Sequence, residues 1–177
     1  TLWLAPDDPV WLWRIEIGNR GKSPLACEAL LIQDLGLGDR GFISNNEAYV
    51  SQYIDHHVEA EPTLGPVIMS RQNLAQFGGR FPWVLHGCLD GAQGYATDAL
   101  QVFGPAYRDH GRLDFAGRDL PSRRRQHEVA CAALQSRQVT VEPGGSAGWT
   151  FFGVHDPDHQ AASGKADLAL IDAARAA

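Results

Sequence analysis

From Val10 to Ile17 the chain alternates in a way that only one kind of structure can use. Trp11, Trp13, Ile15 and Ile17 fall on one side of an extended backbone, and Arg14 and Glu16 fall on the other. A period of two is the mark of a half-buried β-strand, since successive strand side chains point to opposite faces. Such a segment has to pair with other strands and hide its apolar face against another layer. Asn19-Arg-Gly-Lys-Ser-Pro24 ends the run with turn-forming residues. Leu25 to Leu35 then resumes it, apolar except at Glu28, Gln33 and Asp34. The two runs predict an antiparallel pair close to the core.

The same reading predicts strands over Ala48 to Val58, Pro66 to Arg71, Trp83 to Leu89, Ala99 to Phe103, His127 to Gln135, Arg137 to Glu142 and Trp149 to His155. Gly, Pro, Asn and Asp clusters separate them, so the expected fold class is all-β, an antiparallel β-sandwich with long connections. Glu142-Pro-Gly-Gly-Ser146 reads as a hairpin, because Pro presets one turn dihedral and Gly accepts a positive φ. Helix is expected only over Lys165 to Ala177, where Leu168, Ile171 and Ala174 share a face and Ser163 is available as a cap. Residues 1–160 then form the sandwich, and residues 161–177 begin a helical linker. The opening without Met and the closing Ala-Ala-Arg-Ala-Ala predict a fragment of a longer polypeptide.

A length of 177 residues with 44% hydrophobic side chains suits one domain with a sizeable core. The formal net charge of -6 disfavours nucleic acid and anionic membranes as partners, since both attract basic surfaces. Arg123-Arg124-Arg125 is too short to reverse that balance. No stretch of about 18 apolar residues is present to span a bilayer, and the first ten residues lack the pattern of a signal peptide. Cys27, Cys88 and Cys131 are odd in number and far apart, which predicts buried free thiols in a reducing, cytoplasmic compartment rather than a disulfide framework.

Several motifs match without their context. Gly36-Leu-Gly-Asp-Arg-Gly41 fits G-x-G-x-x-G, but nucleotide binding needs a helix to start there. The sequence that follows predicts another strand and hence a glycine-rich turn. Gly144-Gly-Ser-Ala-Gly148 fits the hydrolase elbow, which needs a helix after the serine; Trp149-Thr-Phe-Phe-Gly153 continues as a strand instead. His155-Asp-Pro-Asp-His159 gathers metal-ligating side chains, yet Pro157 forbids the helix that would align the two imidazoles. His56 and His57 are strand neighbours on opposite faces. No metal site and no cofactor is expected. Asp34, Glu47, Asp55, Asp90 and Asp98 are expected as turn, cap or edge residues, because no spacing singles out a catalytic pair.

The run from Arg80-Phe-Pro-Trp-Val-Leu-His-Gly-Cys-Leu-Asp90 through Gly104, followed by Cys131-Ala-Ala-Leu-Gln135 and Val139-Thr-Val-Glu-Pro-Gly-Gly145, resembles the amino-terminal β-sandwich of family 94 glycoside phosphorylases. The cyclic β-1,2-glucan synthases, of glycosyltransferase 36 type, share it. Asp34 to Leu37, Asn46 to Tyr53, Ser70 to Asn73 and Ala96 to Gly104 extend the match. They are closest to the branch acting on β-1,2-linked glucans, which includes the 1,2-β-oligoglucan phosphorylases. The resemblance implies a galactose-mutarotase-like sandwich in front of a separate helical barrel that holds the general acid and the phosphate site. It gives this chain no catalytic residue.

The expected function is therefore that of the non-catalytic front domain of such a phosphorylase or synthase, with its catalytic barrel and an oligosaccharide or glucan as partners. A homodimer is left open. The alternative is a free-standing carbohydrate-binding protein of the same fold, distinguished by a stop codon directly after Ala177. For sugar contact the expected carbohydrate-binding set is Arg71, Gln72, Asn73, Trp83 and His86. Arg and Asn supply donors for hydroxyls, and an indole offers a flat apolar face for a pyranose ring.

Overall fold

A computed structural model describes residues 1–126 and 129–177, with all their side chains except those of Glu47 and Ala48. The strands are β1 (Leu2–Leu4), β2 (Val10–Gly18), β3 (Leu25–Cys27), β4 (Leu30–Asp34), β5 (Ile54–Glu61), β6 (Gly65–Gln72), β7 (Trp83–Cys88), β8 (Ala92–Asp98), β9 (Ala130–Ser136), β10 (Val139–Val141) and β11 (Ser146–Asp156). A six-stranded sheet has the order β1-β2-β11-β7-β6-β5, a three-stranded sheet the order β4-β9-β8, and β10 pairs with β3. All of these ladders are antiparallel. The all-β sandwich expected from the strand periodicity is the fold.

The core lies between the sheets. Ile54, Ile68, Val84 and Phe151 from the large sheet meet Ala130, Ala132 and Leu134 of β9, with Trp11, Ile15 and Ile17 packed alongside. The other face of the large sheet carries Val67, Met69, Trp83, Leu85, Phe152 and Val154, and the C-terminal segment covers it through Ile171 and Ala174. That segment is a tight helical turn, Lys165–Leu170, running into α4 (Ile171–Ala176), which follows the three helices described below. The apolar stripe of Leu168, Ile171 and Ala174 thus does what its spacing implies. Ser163 does not cap it. The Asp167 carboxylate accepts from Gly164 N–H instead.

The expected pairing of the first two runs is wrong. β2 pairs along its whole length with β11, and the 25–35 run divides between β3 and β4 in the two smaller sheets. The division falls at Ala29, whose N–H donates to the Ser136 hydroxyl at 2.9 Å. The 142–146 turn is real, with Gly144 at φ +78° and Gly145 N–H bonded to the Glu142 carbonyl. It is a corner rather than a hairpin, because it carries the chain from β10 in one sheet to β11 in another.

Helix is also more widespread than expected. α1 (Arg40–Val50) occupies the stretch between β4 and β5, α2 (Ala99–Phe103) replaces an expected strand, and α3 (Tyr107–His110) follows it. Asp39 caps α1 by accepting from Phe42 N–H at 2.8 Å, and Asp98 caps α2 by accepting from Leu100 N–H at 3.0 Å. α1 bends at Asn46, whose φ of -125° is not helical. The missed β8 contains Gly94 and shifts register on either side of it, which breaks the period of two. The expected strand start at His127 and Glu128 lies outside the described residues. No helix among the described residues is long and apolar enough to cross a membrane.

Candidate functional site

Arg71 and Trp83 face each other across β6 and β7, so their side chains leave the same side of the large sheet. Gln72 and His86 fall on the opposite, core-facing side by strand alternation. The five residues expected to bind sugar therefore do not assemble into one site.

Trp83 is fully buried. One face of its indole is covered by the His159 imidazole, with ring centroids 4.8 Å apart and planes 12° from parallel, and its Nε1–H donates to the Ser163 hydroxyl at 2.9 Å. The face that a pyranose would need is occupied by the protein's own chain. Arg71 works on the same segment. Its Nε donates to the His159 carbonyl at 2.7 Å, Nη2 donates to the Gln160 carbonyl at 3.1 Å, and the guanidinium lies 4.3 Å from the Phe81 ring centre. Its Nη1 donates to Asn73 Oδ1. His159 is held in turn through its two ring nitrogens by the Asp167 carboxylate at 3.0 Å and the Ala161 carbonyl at 2.9 Å. Arg71, Trp83, His159 and Asp167 are thus a staple that fixes the C-terminal segment to the sheet.

His86 and Gln72 are both fully buried. Burial pushes the His86 imidazole down to about 3, with His56 adding in the same direction. Neither ring nitrogen finds a hydrogen-bond partner among the described residues. The ring meets Trp11 edge-on at 5.7 Å. Gly153 lies between their strands, in register with both, and a Cβ there would come within 2.1 Å of the Trp11 ring. The absent side chain is what lets Trp11 and His86 meet. Of the expected set, Asn73 is exposed and Arg71 partly so.

The other chemistry-bearing groups have structural partners. Asp90 accepts from Thr150 N–H at 2.6 Å and Asp158 from Phe81 N–H at 3.0 Å. Glu61 accepts from Leu64 N–H and from Thr63, bonds that hold its carboxyl down at about 2. Burial pushes the Cys88 thiol up to about 11 and the Cys131 thiol up to about 12, so neither is a nucleophile near neutral pH. Ser146 opens β11 and no helix follows it.

An open cleft of about 380 Å³ lies on the rim of the sandwich, lined among others by Leu37, Asp39, Gln76, Phe77, Arg80 and His155. None of these six belongs to the expected sugar-binding set. One side is the end of the Gly36–Gly41 run, where α1 does begin but where Asp39 already occupies the cap. The other side is the connection between β6 and β7. There Gly79 N–H bonds to the Gln76 carbonyl at 2.9 Å, and Gly78 has φ +80°. A positive φ at the third residue is what a type II turn requires, and it sets Phe77 at the tip, 84% exposed. The sequence signal was Gln76-Phe-Gly-Gly-Arg80, an aromatic residue beside a glycine pair inside a polar connection.

Comparison with known proteins adds the chain's lineage. Residues 1–153 match the family model described as the SOGP N-terminal domain. The chain is 38% identical over 131 residues to a 1,2-beta-oligoglucan phosphorylase of Listeria innocua serovar 6a, a match covering 73% of this chain and 12% of that protein. Among solved structures it resembles a polysaccharide lyase at a TM-score of 0.46, with 10% identity over 85% of this chain and 18% of the lyase. On the match over residues 1–153, the chain belongs to the SOGP N-terminal domain family.

Proposed function

We propose that this chain is the non-catalytic front domain of a glycoside phosphorylase that acts on β-linked glucans, the β-1,2 linkage being favoured by its relative. The observation that carries the reading is the extent of that match: 73% of this chain aligns with only 12% of a 1,2-beta-oligoglucan phosphorylase. The remaining length of such a protein is where phosphorolysis would take place.

The chemistry within the chain supports a structural role. Phosphorolysis of a glycoside needs a proton for the departing oxygen and a site for phosphate. Asp39, Glu61, Asp90, Asp98 and Asp158 instead accept hydrogen bonds from backbone N–H groups at caps and turns. At Glu61 and Asp158 such bonds hold the carboxyl below its usual range and make it a poor acid. In this reading residues 161–177 begin the linker towards the catalytic part, and the staple on Trp83 sets the direction in which that linker leaves the sandwich. The test is to read the coding sequence beyond Ala177 and to assay the whole product. A continuing frame that encodes a helical catalytic domain, with phosphate-dependent cleavage of a β-1,2-gluco-oligosaccharide, is the expected result. A stop codon after Ala177 overturns it and leaves the free-standing binding protein.

A further inference from the structure

We propose that the rim cleft at Phe77 binds one or two glucosyl units of a neutral β-linked glucan, giving the domain a sugar-holding role of its own. The inference rests on the carbohydrate reading above but concerns residues outside the expected carbohydrate-binding set.

Three observations point to this ligand. The first is Phe77, an 84% exposed ring on a turn stiffened by three hydrogen bonds: Gln76 N–H to the Arg80 carbonyl at 2.8 Å, Gly79 N–H to the Gln76 carbonyl at 2.9 Å, and Arg80 Nε–H to the Phe77 carbonyl at 3.2 Å. Among the described residues it is the most exposed of the large hydrophobic side chains, and it stands at the mouth of a cleft. Its flat face suits the C–H surface of a pyranose, to which the aromatic quadrupole presents its negative side.

The second is Gln76. Its Nε2 donates to the Leu74 carbonyl at 2.8 Å, while its Oε1 is buried with no hydrogen-bond partner among the described residues. A buried acceptor left unpaired is costly, and a ligand hydroxyl reaching the cleft would satisfy it. Gly38 packs beside it, since a Cβ there would come within 2.9 Å of the same oxygen and 2.5 Å of the Phe42 ring.

The third is the balance of charge. Asp39 and Arg80 both line the cleft, so it presents an anion and a cation together. Asp39 Oδ1 already accepts from Phe42 N–H, and its second oxygen is a further acceptor. His155, whose imidazole burial holds below its usual range, adds a neutral group able to donate from one nitrogen and accept on the other. Hydroxyls are donors and acceptors at once, and this lining offers both. A phosphate would meet the Asp39 carboxylate. The volume of about 380 Å³ is near the lower end of the range for small-molecule sites, ~300–1,000 Å³, which suits one or two sugar rings and not a long chain.

The test is a titration of ¹⁵N-labelled protein with β-1,2-, β-1,3- and β-1,4-linked gluco-oligosaccharides and, separately, with inorganic phosphate, in the natural chain, Phe77→Ala and Phe77→Tyr. Phe77 is exposed, so neither substitution threatens the fold. The expected result is saturable movement of the Gln76, Phe77 and Arg80 amides with at least one glucan. Binding should weaken by about tenfold in Phe77→Ala, and Phe77→Tyr should keep it. No movement with any glucan, movement confined to other residues, unchanged affinity in Phe77→Ala, or stronger movement with phosphate would overturn the site. Assaying the full-length product separates this from the underlying reading. Phosphorolysis with a silent cleft removes the site alone, whereas glucan binding at the cleft without phosphorolysis removes the phosphorylase and keeps the site.

Discussion

His159 lies flat on Trp83, 4.8 Å between ring centres and 12° from parallel, and the same indole donates its N–H to Ser163. Two residues from the C-terminal segment thereby close over the one aromatic side chain that the sequence offered as a sugar platform. Arg71, on the strand next to Trp83, donates to the carbonyls of His159 and Gln160 and completes the attachment. The outer face of the large sheet is sealed by the chain's own end.

Trp83→Ala should destabilise the domain by about 3–5 kcal/mol, the range for removing a large aromatic from a packed core. His159→Ala should cost about 1–2 kcal/mol, from lost stacking and hydrogen bonds, and should act locally. Urea unfolding followed by far-UV circular dichroism measures the first. Hydrogen exchange measures the second, with faster exchange expected at Ile171 and Ala174 while the amides of Ile68 and Leu85 stay protected. Uniform loss of protection in His159→Ala would show that the segment is not separately held.

Two glycines should be intolerant for different reasons. Gly65 has φ +74°, and a Cβ there would approach the Ala92 carbonyl oxygen to 2.2 Å. Backbone cannot step aside, so Gly65→Ala should cost more than about 2 kcal/mol. Gly153→Ala meets the Trp11 ring, which is partly exposed and can turn away, so about 1–2 kcal/mol is expected. Thermal melts of both variants test the order, and a larger loss in Gly153→Ala would contradict it.

The acid limb of stability should carry the mark of His86. Its folded value of about 3 lies below the unfolded value near 6.5, so the unfolded chain binds the proton first. Stability is full above about pH 6.5 and falls by up to roughly 1.4 kcal/mol per pH unit on the way down to 3. Between about pH 6.5 and 5 the loss should be about 2 kcal/mol. His155 shifts in the same direction and adds to it, whereas Glu61, lowered from 4.5 to about 2, contributes only at lower pH. His86→Leu, which removes two unpaired buried nitrogens, should leave stability near neutral pH unchanged or higher and flatten this limb. Urea midpoints at about pH 7.5 and about pH 5 decide it; an equally steep limb in His86→Leu would be against it.

The strands were legible where a period of two ran unbroken, as in Val10–Gly18, or where a short apolar run marked burial on both faces, as in Gly65–Gln72 and Trp83–Cys88. Their partners were not. The pairing of β2 with β11 joins the two ends of the chain, and no local pattern encodes it. α1 was hidden because Phe42, partly buried, and Val50, buried, pack on the core from either side of the bend at Asn46. The expected site failed at Trp83 for a related reason. An aromatic residue in an apolar run can face core or cleft, and only the return of His159 from the far end of the chain decides it. Phe77 was visible beside its glycine pair, but nothing local says that Asp39 and His155 would arrive next to it.

In the proposed reading this domain accompanies catalysis without performing it. The direct test is to incubate the 177-residue chain and the full-length product side by side with β-1,2-gluco-oligosaccharides and inorganic phosphate, and to measure glucose 1-phosphate. Release by the full-length product with none from the chain is the predicted result; release by the chain alone would contradict it.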